Sequence, residues 1–574
     1  MVTQPRPSVR RRRSPGARSR RLSPTVSPRL RLVTVWVLLV LAMVGLGIRL
    51  ARLQLVLGDR LKAQAEQQQR IARVPRASRR SIVDRQGTVL AVDRVVYTIY
   101  AHPLLFNRDA QTVAQALSAP LGQPVESLVR RFEEQETGIQ LAVDVSEELA
   151  ERIRGLRLDG LDLLPGQQRF YPQQSLMSQL LGYINFEGEP QAGIEYALQE
   201  QLVYEADAST ARDSLKLQLT VDSRLQRIAQ RNLDQTVQRF GAKRGALIVM
   251  DAKDGAIISL AVTPTYDPNR YYEADLEQFR NWAISDLYEP GSTFKPINVA
   301  IALEEGVIAP EDYVYDEGQL TYGQWKIQNA DYLTRGGRGS ISITDVLRHS
   351  SNVGMVHIME KLQRSSYYRW LEKLGLGEPT GVELPAEAAA QLKERSQFVN
   401  SAVEAATTSF GQGFSLTPIQ LAQLHGALAN GGKLVTPHLV RGLVDGDGDL
   451  SWQPERPAET ELFSAQTTQS VLAMMREVVA SGSGESAQIP GYQVGGKTGT
   501  AQKANAYGEY GNERITSFVG IVPVDRPRYV VLAVIDEPLG EDLYGSTVAA
   551  PLVKAVMESL VVAAGIPPET AEQP

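Results

Sequence analysis

Ser292-Thr293-Phe294-Lys295, Ser350-Ser351-Asn352 and Lys497-Thr498-Gly499 follow one another in that order along this chain. Together they supply a serine nucleophile, two lysines to manage its proton, and hydroxyl and amide groups to orient an acyl donor. The chemistry they point to is acyl transfer through a serine ester. Each string alone is weak, because any chain of 574 residues contains stray Ser-x-x-Lys runs. The signal lies in the ordered triple.

Glu289-Pro290-Gly291 forms a turn able to open a helix, which puts Ser292 in its first turn. Free backbone N–H groups there favour developing negative charge. Lys295 follows three residues later, on the same helical face. A lysine packed beside a second cation can lose its proton near neutral pH and act as general base. Ser350 can relay a proton, and the Asn352 amide can hold a substrate's backbone amide. Lys497 adds positive charge, and Thr498 and Thr500 offer hydroxyls to a carboxylate. Gly499 lets a substrate approach the backbone of what should be an edge strand. The backbone N–H groups of Ser292 and Thr500 are expected to form an oxyanion hole. Bland alternatives stand beside each motif: a capping serine with an exposed lysine, a Ser/Asn-rich helix start, and a polar turn. His349 invites a Ser–His pairing, but no G-x-S-x-G elbow accompanies it, and it reads as packing. Residues 491–498 also satisfy the phosphate-loop pattern G-x-x-x-x-G-K-[ST], which requires a buried strand before it and a helix after it. The glycine- and serine-rich flanks fit neither requirement.

There is no cysteine, so disulfides and thiolate metal sites are excluded. The five histidines, at positions 102, 349, 357, 425 and 438, show no metal-binding spacing, and no cofactor is expected. The net charge of −5 hides an asymmetry: residues 1–31 hold ten arginines and no acidic residue. Such a segment cannot bury a core and should be disordered. Residues 32–48 then run without a charge, and Leu50, Leu53 and Leu55 extend the apolar stretch past Arg49 and Arg52, which can snorkel. The run continues past any signal-peptide cleavage site, so it reads as an uncleaved membrane anchor. The arginine-rich tail would stay cytoplasmic and serve as a topology signal rather than a nucleic-acid site.

Residues 58–74 read as a polar helix. Residues 76–100 turn β-like, with Ile82-Val83, then Thr88–Ala91 and Val95–Tyr100 as separate strands. Residues 110–157 look helical, and residues 169–185 suggest a strand-and-turn return. From about residue 215 the pattern changes. Asp222 caps an amphipathic helix over residues 223–240, and residues 245–250 and 256–261 flank Asp251-Ala252-Lys253-Asp254-Gly255 as a hairpin. Residues 516–522 and 529–535 read as strands and 551–564 as a closing helix. Strands at both ends with helices between them imply an α+β domain whose sheet joins distant parts of the sequence.

Over roughly residues 75–560 the chain resembles class B penicillin-binding proteins, the monofunctional peptidoglycan D,D-transpeptidases. Beyond the three motifs, the resemblance is carried by Ser81-Ile82-Val83-Asp84-Arg85-Gln86-Gly87 and Gly193-Ile194-Glu195-Tyr196. Tyr266-Asp267-Pro268-Asn269, Gly411-Gln412-Gly413 with Leu416-Thr417-Pro418, and Val548-Ala549-Ala550-Pro551 extend it. Arg80, Trp282 and Ser546 depart from the family pattern, without touching the catalytic set. The resemblance implies a transpeptidase domain of the penicillin-binding and serine β-lactamase type, an antiparallel sheet with helices, over residues 216–565. It would be preceded by a disordered tail at 1–31, a transmembrane anchor at 32–55 and an elongated mixed α/β pedestal at 56–215, and followed by a disordered tail at 566–574. It further implies Ser292 as nucleophile, with Lys295, Ser350, Asn352 and Lys497 catalytic and Thr498, Gly499 and Thr500 binding substrate. Ser292 would attack the D-Ala-D-Ala carbonyl of a stem peptide, release the terminal D-Ala, and pass the acyl group to a neighbouring stem; β-lactams would mimic the donor. The stretch before residue 240 has no room for a glycosyltransferase domain. The arginine-rich tail and the segment from Arg169 to Glu195 look like the septal, FtsI-type branch. By analogy the partners are an FtsW-type glycosyltransferase and other division proteins at the inner (plasma) membrane, with the catalytic domain on the periplasmic side. The alternatives are an elongation-specific transpeptidase and a penicillin-binding sensor or scaffold without cross-linking turnover.

Overall fold

The computed structural model describes residues 28–52, 78–204, 215–323, 325–504 and 510–569. The chain divides into two units, Met1–Pro75 and Arg76–Pro574. In the first, Pro28–Ala51 forms a helix that begins a little before the predicted anchor. Its large apolar side chains, among them Val35, Trp36, Leu38, Leu41 and Met43, are exposed. Among the described residues no helix is long and apolar enough to cross a membrane. The predicted polar helix at 58–74, most of the basic tail, and residues 53–55 of the predicted anchor lie outside the described residues.

In the second unit, a five-stranded antiparallel sheet positions the chemistry. Its order is Gly495–Ala504, Tyr510–Val522, Tyr529–Asp536, Arg244–Asp251, Ile257–Thr263. The Tyr529–Asp536 strand is buried along its whole length, and period-two alternation sends its side chains to two different cores. Val531, Ala533 and Ile535 join Leu247, Val249 and Phe518 beneath Leu225, Leu233, Val553 and Val556. The latter come from the helices Ser223–Arg239 and Ala549–Ala563. Val530, Leu532 and Val534 point the other way with Ile248, Met250 and Val519, against Leu421 and Leu424 of Pro418–Ala429 and Ile297 and Ile301 of Lys295–Glu304. Strands from both ends of the sequence thus meet in one sheet, as the α+β reading expects. The hairpin, the helix after Asp222, and the closing helix all form where the sequence places them.

The pedestal differs from expectation in two places. The two short strands of the β-like stretch are one strand, Val89–Ala101. Inside the region read as helical, Ile139–Ser146 is a strand paired to it, between the helices Val125–Glu134 and Glu147–Gly155. Ile139 and Leu141 are buried while Gln140 is exposed, a short alternation hidden between two strongly helical flanks. A seven-stranded sheet then runs through Leu161–Phe170, Val89–Ala101 and Ile82–Val83 to Lys216–Leu219, and on to Val440–Val444 and Leu450–Trp452. Pedestal and catalytic sequence therefore share a sheet.

A buried ionic cluster and two separate hydrogen-bonded contacts hold three of the family segments in place. Glu195 has no exposed surface and takes hydrogen bonds from Arg79 Nε at 3.0 Å and Arg169 Nε at 2.6 Å. Arg169 also reaches Asp93 at 3.0 Å. Next to it, Tyr171 and Asn269 exchange a reciprocal pair of 2.9 Å hydrogen bonds between the Tyr171 backbone and the Asn269 amide. Asp84 is equally buried and accepts from Ser223 Oγ at 2.6 Å, anchoring the start of the Ser223–Arg239 helix. The atypical residues are accommodated locally. Arg80 donates to the Gln201 carbonyl at 2.6 Å, and Trp282 donates to the Gly245 carbonyl at 3.1 Å beneath the Arg244 guanidinium.

Removing Glu195 leaves two buried guanidinium groups without their shared carboxylate, a loss of about 3–5 kcal/mol. Urea unfolding of Glu195→Ala should show this as a lowered midpoint, and an unchanged midpoint would mean the cluster is not holding the fold.

Candidate active site

Ser292 is half-buried in a 3-10 turn, Gly291–Phe294, that runs into the helix Lys295–Glu304. The Lys295 backbone N–H closes that turn on the Ser292 carbonyl. The turn is held from three sides. Gly291 N donates to the Gly411 carbonyl at 2.9 Å, and Glu289 accepts from Gly413 N at 2.9 Å. Gly411, at φ +85°, lies so close that a Cβ would stand 2.0 Å from the Gly291 oxygen, so only glycine fits. Behind the turn, His425 is fully buried and its Nε2 lies 2.9 Å from the Thr293 carbonyl. Burial holds its pKa down to about 4, so the ring is neutral and Nε2–H is the donor.

The two lysines have no exposed surface. Lys295 Nζ lies 2.6 Å from the Ser350 carbonyl, 2.8 Å from Asn352 Oδ1 and 3.3 Å from Ser350 Oγ. Lys497 Nζ lies 2.9 Å from the same Ser350 Oγ and 3.1 Å from the Thr498 carbonyl. One hydroxyl therefore bridges two buried amines. Burial, and then the nearby Lys497 charge, push the Lys295 amine well below the ordinary lysine range, against the opposing pull of Asp316. Burial brings Lys497 down to about 7.

Ser350 sits between the helices Ile343–Arg348 and Asn352–Met359, as expected of that motif. Its φ is +58°, a left-handed conformation that costs a non-glycine residue about 1–3 kcal/mol. Ser351, the middle residue of the motif, is the N-cap: its Oγ accepts from Gly354 N at 2.8 Å. The capping alternative is realised by Ser351, while the adjacent Ser350 Oγ faces the two lysines.

Lys497, Thr498, Gly499 and Thr500 lie on Gly495–Ala504, the edge strand of the five-stranded sheet. Residues 491–498 therefore lead into a strand rather than a helix, which removes the phosphate-loop reading. A Cβ on Gly499 would stand 3.0 Å from Thr293 Cγ2 and 3.2 Å from the Pro290 oxygen. Glycine here lets the edge strand lie against the Ser292 turn. Thr498 Oγ1 donates to Ser483 Oγ at 3.0 Å, and Thr500 Oγ1 accepts from Gly545 N at 3.1 Å.

All eight residues singled out by the motifs are brought to one place. Sequence reasoning missed the supports: His425, Glu289, Ser483, Gly545 and, behind Ser351, Asp316 and Asn329. Asp316 carried one signal. In Tyr313–Asp316 the inward positions are Val314 and Asp316, so a carboxylate occupies a core-facing slot. Among the described residues the His349 ring hydrogen-bonds only Arg348, 3.3 Å from its Nε2.

Comparison with known proteins agrees with this geometry. The penicillin binding protein transpeptidase domain matches residues 245–558, and the penicillin-binding protein dimerisation domain matches residues 75–209. A peptidoglycan D,D-transpeptidase FtsI homolog from Mesostigma viride is 39% identical over 94% of this chain and 96% of its own length. The peptidoglycan D,D-transpeptidase FtsI of Escherichia coli is 29% identical over 95% of this chain and 93% of its own. Among solved structures, penicillin binding protein 3 from Mycobacterium tuberculosis, complexed with aztreonam, superposes with a TM-score of 0.67 at 27% identity, covering 86% of this chain and 98% of that one. With the transpeptidase domain model matching more than half of the chain and the dimerisation domain before it, the chain belongs to the penicillin-binding proteins with a transpeptidase domain.

Proposed function

We propose that this chain is a serine D-Ala-D-Ala transpeptidase that cross-links peptidoglycan stem peptides during septal wall synthesis, with β-lactams as donor mimics. The observation that carries the reading is the single Ser350 hydroxyl between two buried, deprotonation-prone lysines at the head of the Ser292 turn. The FtsI names of its relatives and the aztreonam held by its structural neighbour support it.

Ser292 is the nucleophile. A neutral Lys295 amine has two N–H bonds to give, and the Ser350 carbonyl and Asn352 Oδ1 accept both. Its lone pair, near Ser350 Oγ at 3.3 Å, is left to take the Ser292 proton as the oxygen attacks the donor carbonyl. The backbone N–H groups of Ser292 and Thr500 stabilise the oxyanion. The carbon–nitrogen bond to the terminal D-Ala breaks, and its nitrogen receives a proton delivered from Lys295 through Ser350 and Lys497. An amine of a second stem peptide then gives up a proton to the same path, displaces Ser292 and completes the cross-link. Lys497, Thr498 and Thr500 bind the donor's terminal carboxylate, and Asn352 orients its amide. The exposed apolar face of Pro28–Ala51 supports a membrane anchor with the arginine-rich tail on the cytoplasmic side. That anchor and the pedestal would meet an FtsW-type glycosyltransferase and other division proteins.

Fluorescent penicillin should label the wild-type protein stoichiometrically and Ser292→Ala not at all; persistent labelling of the variant would place the nucleophile elsewhere. The second-order acylation rate reports the free enzyme. It should rise with pH as Lys295 loses its proton and fall again near pH 7, where Lys497 loses the charge that binds the carboxylate. Lys497→Arg, always charged, should abolish the alkaline fall; a fall that survives in this variant would assign it to another group. A fluorescent fusion of the full chain should gather in the membrane at division sites, whereas a uniform lateral distribution would favour the elongation role.

A further inference from the structure

Asp316 takes no part in the chemistry just described, yet it is a carboxylate with no exposed surface directly behind the Ser350-Ser351-Asn352 loop. Its Oδ2 accepts from Ser351 Oγ at 2.8 Å, and its two oxygens accept from the Asn329 amide at 2.8 and 2.9 Å. Gly318 N donates to Oδ1 at 2.8 Å. Asn329, 2% exposed, turns its own Oδ1 toward the loop, where it accepts from Asn352 N at 2.8 Å and Val353 N at 3.2 Å. Ser351 Oγ is the hinge of the arrangement. Its one proton faces the carboxylate at 2.8 Å and, more distantly, Asn329 Oδ1 at 3.2 Å, and it accepts from Gly354 N to cap the next helix. The polar groups that directly follow Ser350 are thus tied to one buried anion.

We propose that Asp316, through Ser351 and Asn329, is the positioning residue that locks Ser350 in its left-handed conformation and so presents both the carbonyl and the hydroxyl of Ser350 to Lys295. The inference rests on the transpeptidase reading and names a residue that the three motifs do not contain. Three observations converge on it. A strained backbone at a functional site persists only where its surroundings over-determine it, and Ser350 at φ +58° is followed directly by the residue that Asp316 holds. The Ser350 carbonyl makes the shortest contact of Lys295, 2.6 Å, so rotating that peptide would remove a principal acceptor of the general base. Finally, the carboxylate is not consumed by a close ion pair. Arg338 Nε stays 3.9 Å away, while the Arg338 side chain pairs with Asp331 at 2.5 Å.

The same placement gives Asp316 an electrostatic role. The charged groups bearing on Lys295 are Lys497, from the edge strand, and Asp316, from the Tyr313–Asp316 strand. Arg338 stands behind Asp316 and partly offsets it. The Asp316 charge favours the protonated form of Lys295, so removing it must let Lys295 become neutral at lower pH. Position and charge can therefore be separated by two substitutions. Ser351→Ala cuts the link but keeps the carboxylate. Asp316→Asn keeps an acceptor for Ser351 but removes the charge.

The test is the pH dependence of acylation by fluorescent penicillin in the full chain, for wild type and both variants, alongside their thermal unfolding midpoints. Ser351→Ala should lower the acylation rate by about 100-fold, the effect of misplacing a catalytic group by about an ångström, with the acid limb unmoved. Asp316→Asn should move the acid limb to lower pH, a shift that loss of stability alone does not produce. Folded variants that acylate as wild type does at every pH would overturn the proposal while leaving the transpeptidase reading intact. If Asp316→Asn does not fold, Ser351→Ala decides: an undiminished rate overturns the proposal. A wild-type protein that does not label overturns the underlying reading, and the proposal with it.

Discussion

Two lysine side chains without exposed surface, facing one serine hydroxyl, set the terms for the rest of this structure. Burying an ammonium without compensation is prohibitive, and burying two side by side is worse. The protein meets that constraint in two ways. It surrounds each amine with oxygen acceptors, and it lowers the proton affinity of both, so that the two need not be charged together at neutral pH. The same lowering turns an ordinary surface cation into a base able to accept a serine proton. Dryness and reactivity are one property here, and both depend on packing that keeps water out.

That packing comes from elements distant in sequence. The edge strand Gly495–Ala504 carries Lys497 to the pocket, and its neighbour Tyr510–Val522 locks it in register. The Ser292 turn is squeezed between that strand at Gly499 and the Gly411 backbone, with His425 donating to the Thr293 carbonyl. A five-stranded sheet filled on both faces gives this arrangement its rigidity.

The pedestal is bound into the same framework. Lys216–Leu219 pairs with Ile82–Val83 on one side and with Val440–Val444 on the other, so one sheet continues from pedestal to catalytic sequence. The Arg79–Glu195–Arg169 cluster and the Tyr171–Asn269 exchange add polar fasteners. Buried ionic groups contribute little net stability over an apolar alternative, but they tolerate no misalignment, which suits a joint whose geometry matters.

Much of this was legible in the residues. The hairpin and helix that follow residue 215 and the closing strands and helix could be read because each signal is local: alternation, a cap, a turn at fixed spacing. The pedestal was harder. Eight residues of alternation at Ile139–Ser146 are outweighed by the helical sequence around them, and only pairing with Val89–Ala101 selects the strand. The supports of the site were harder still. Nothing near Asp316 or Asn329 marks them as partners of Ser351, because hydrogen bonds between residues 22 and 35 positions apart exist only once the chain has folded.

What the sequence determined by itself is therefore the chemistry and its parts: a serine, two lysines and their hydroxyl and amide companions, with the secondary structure that carries most of them. What only the tertiary structure decided is the state those parts are in. Proton affinity depends on desolvation and on neighbouring charge, and neither exists along an extended chain. Ser350 in its left-handed conformation, Lys295 stripped of water, and Asp316 behind them are consequences of long-range packing, which couples residues by distance rather than by order.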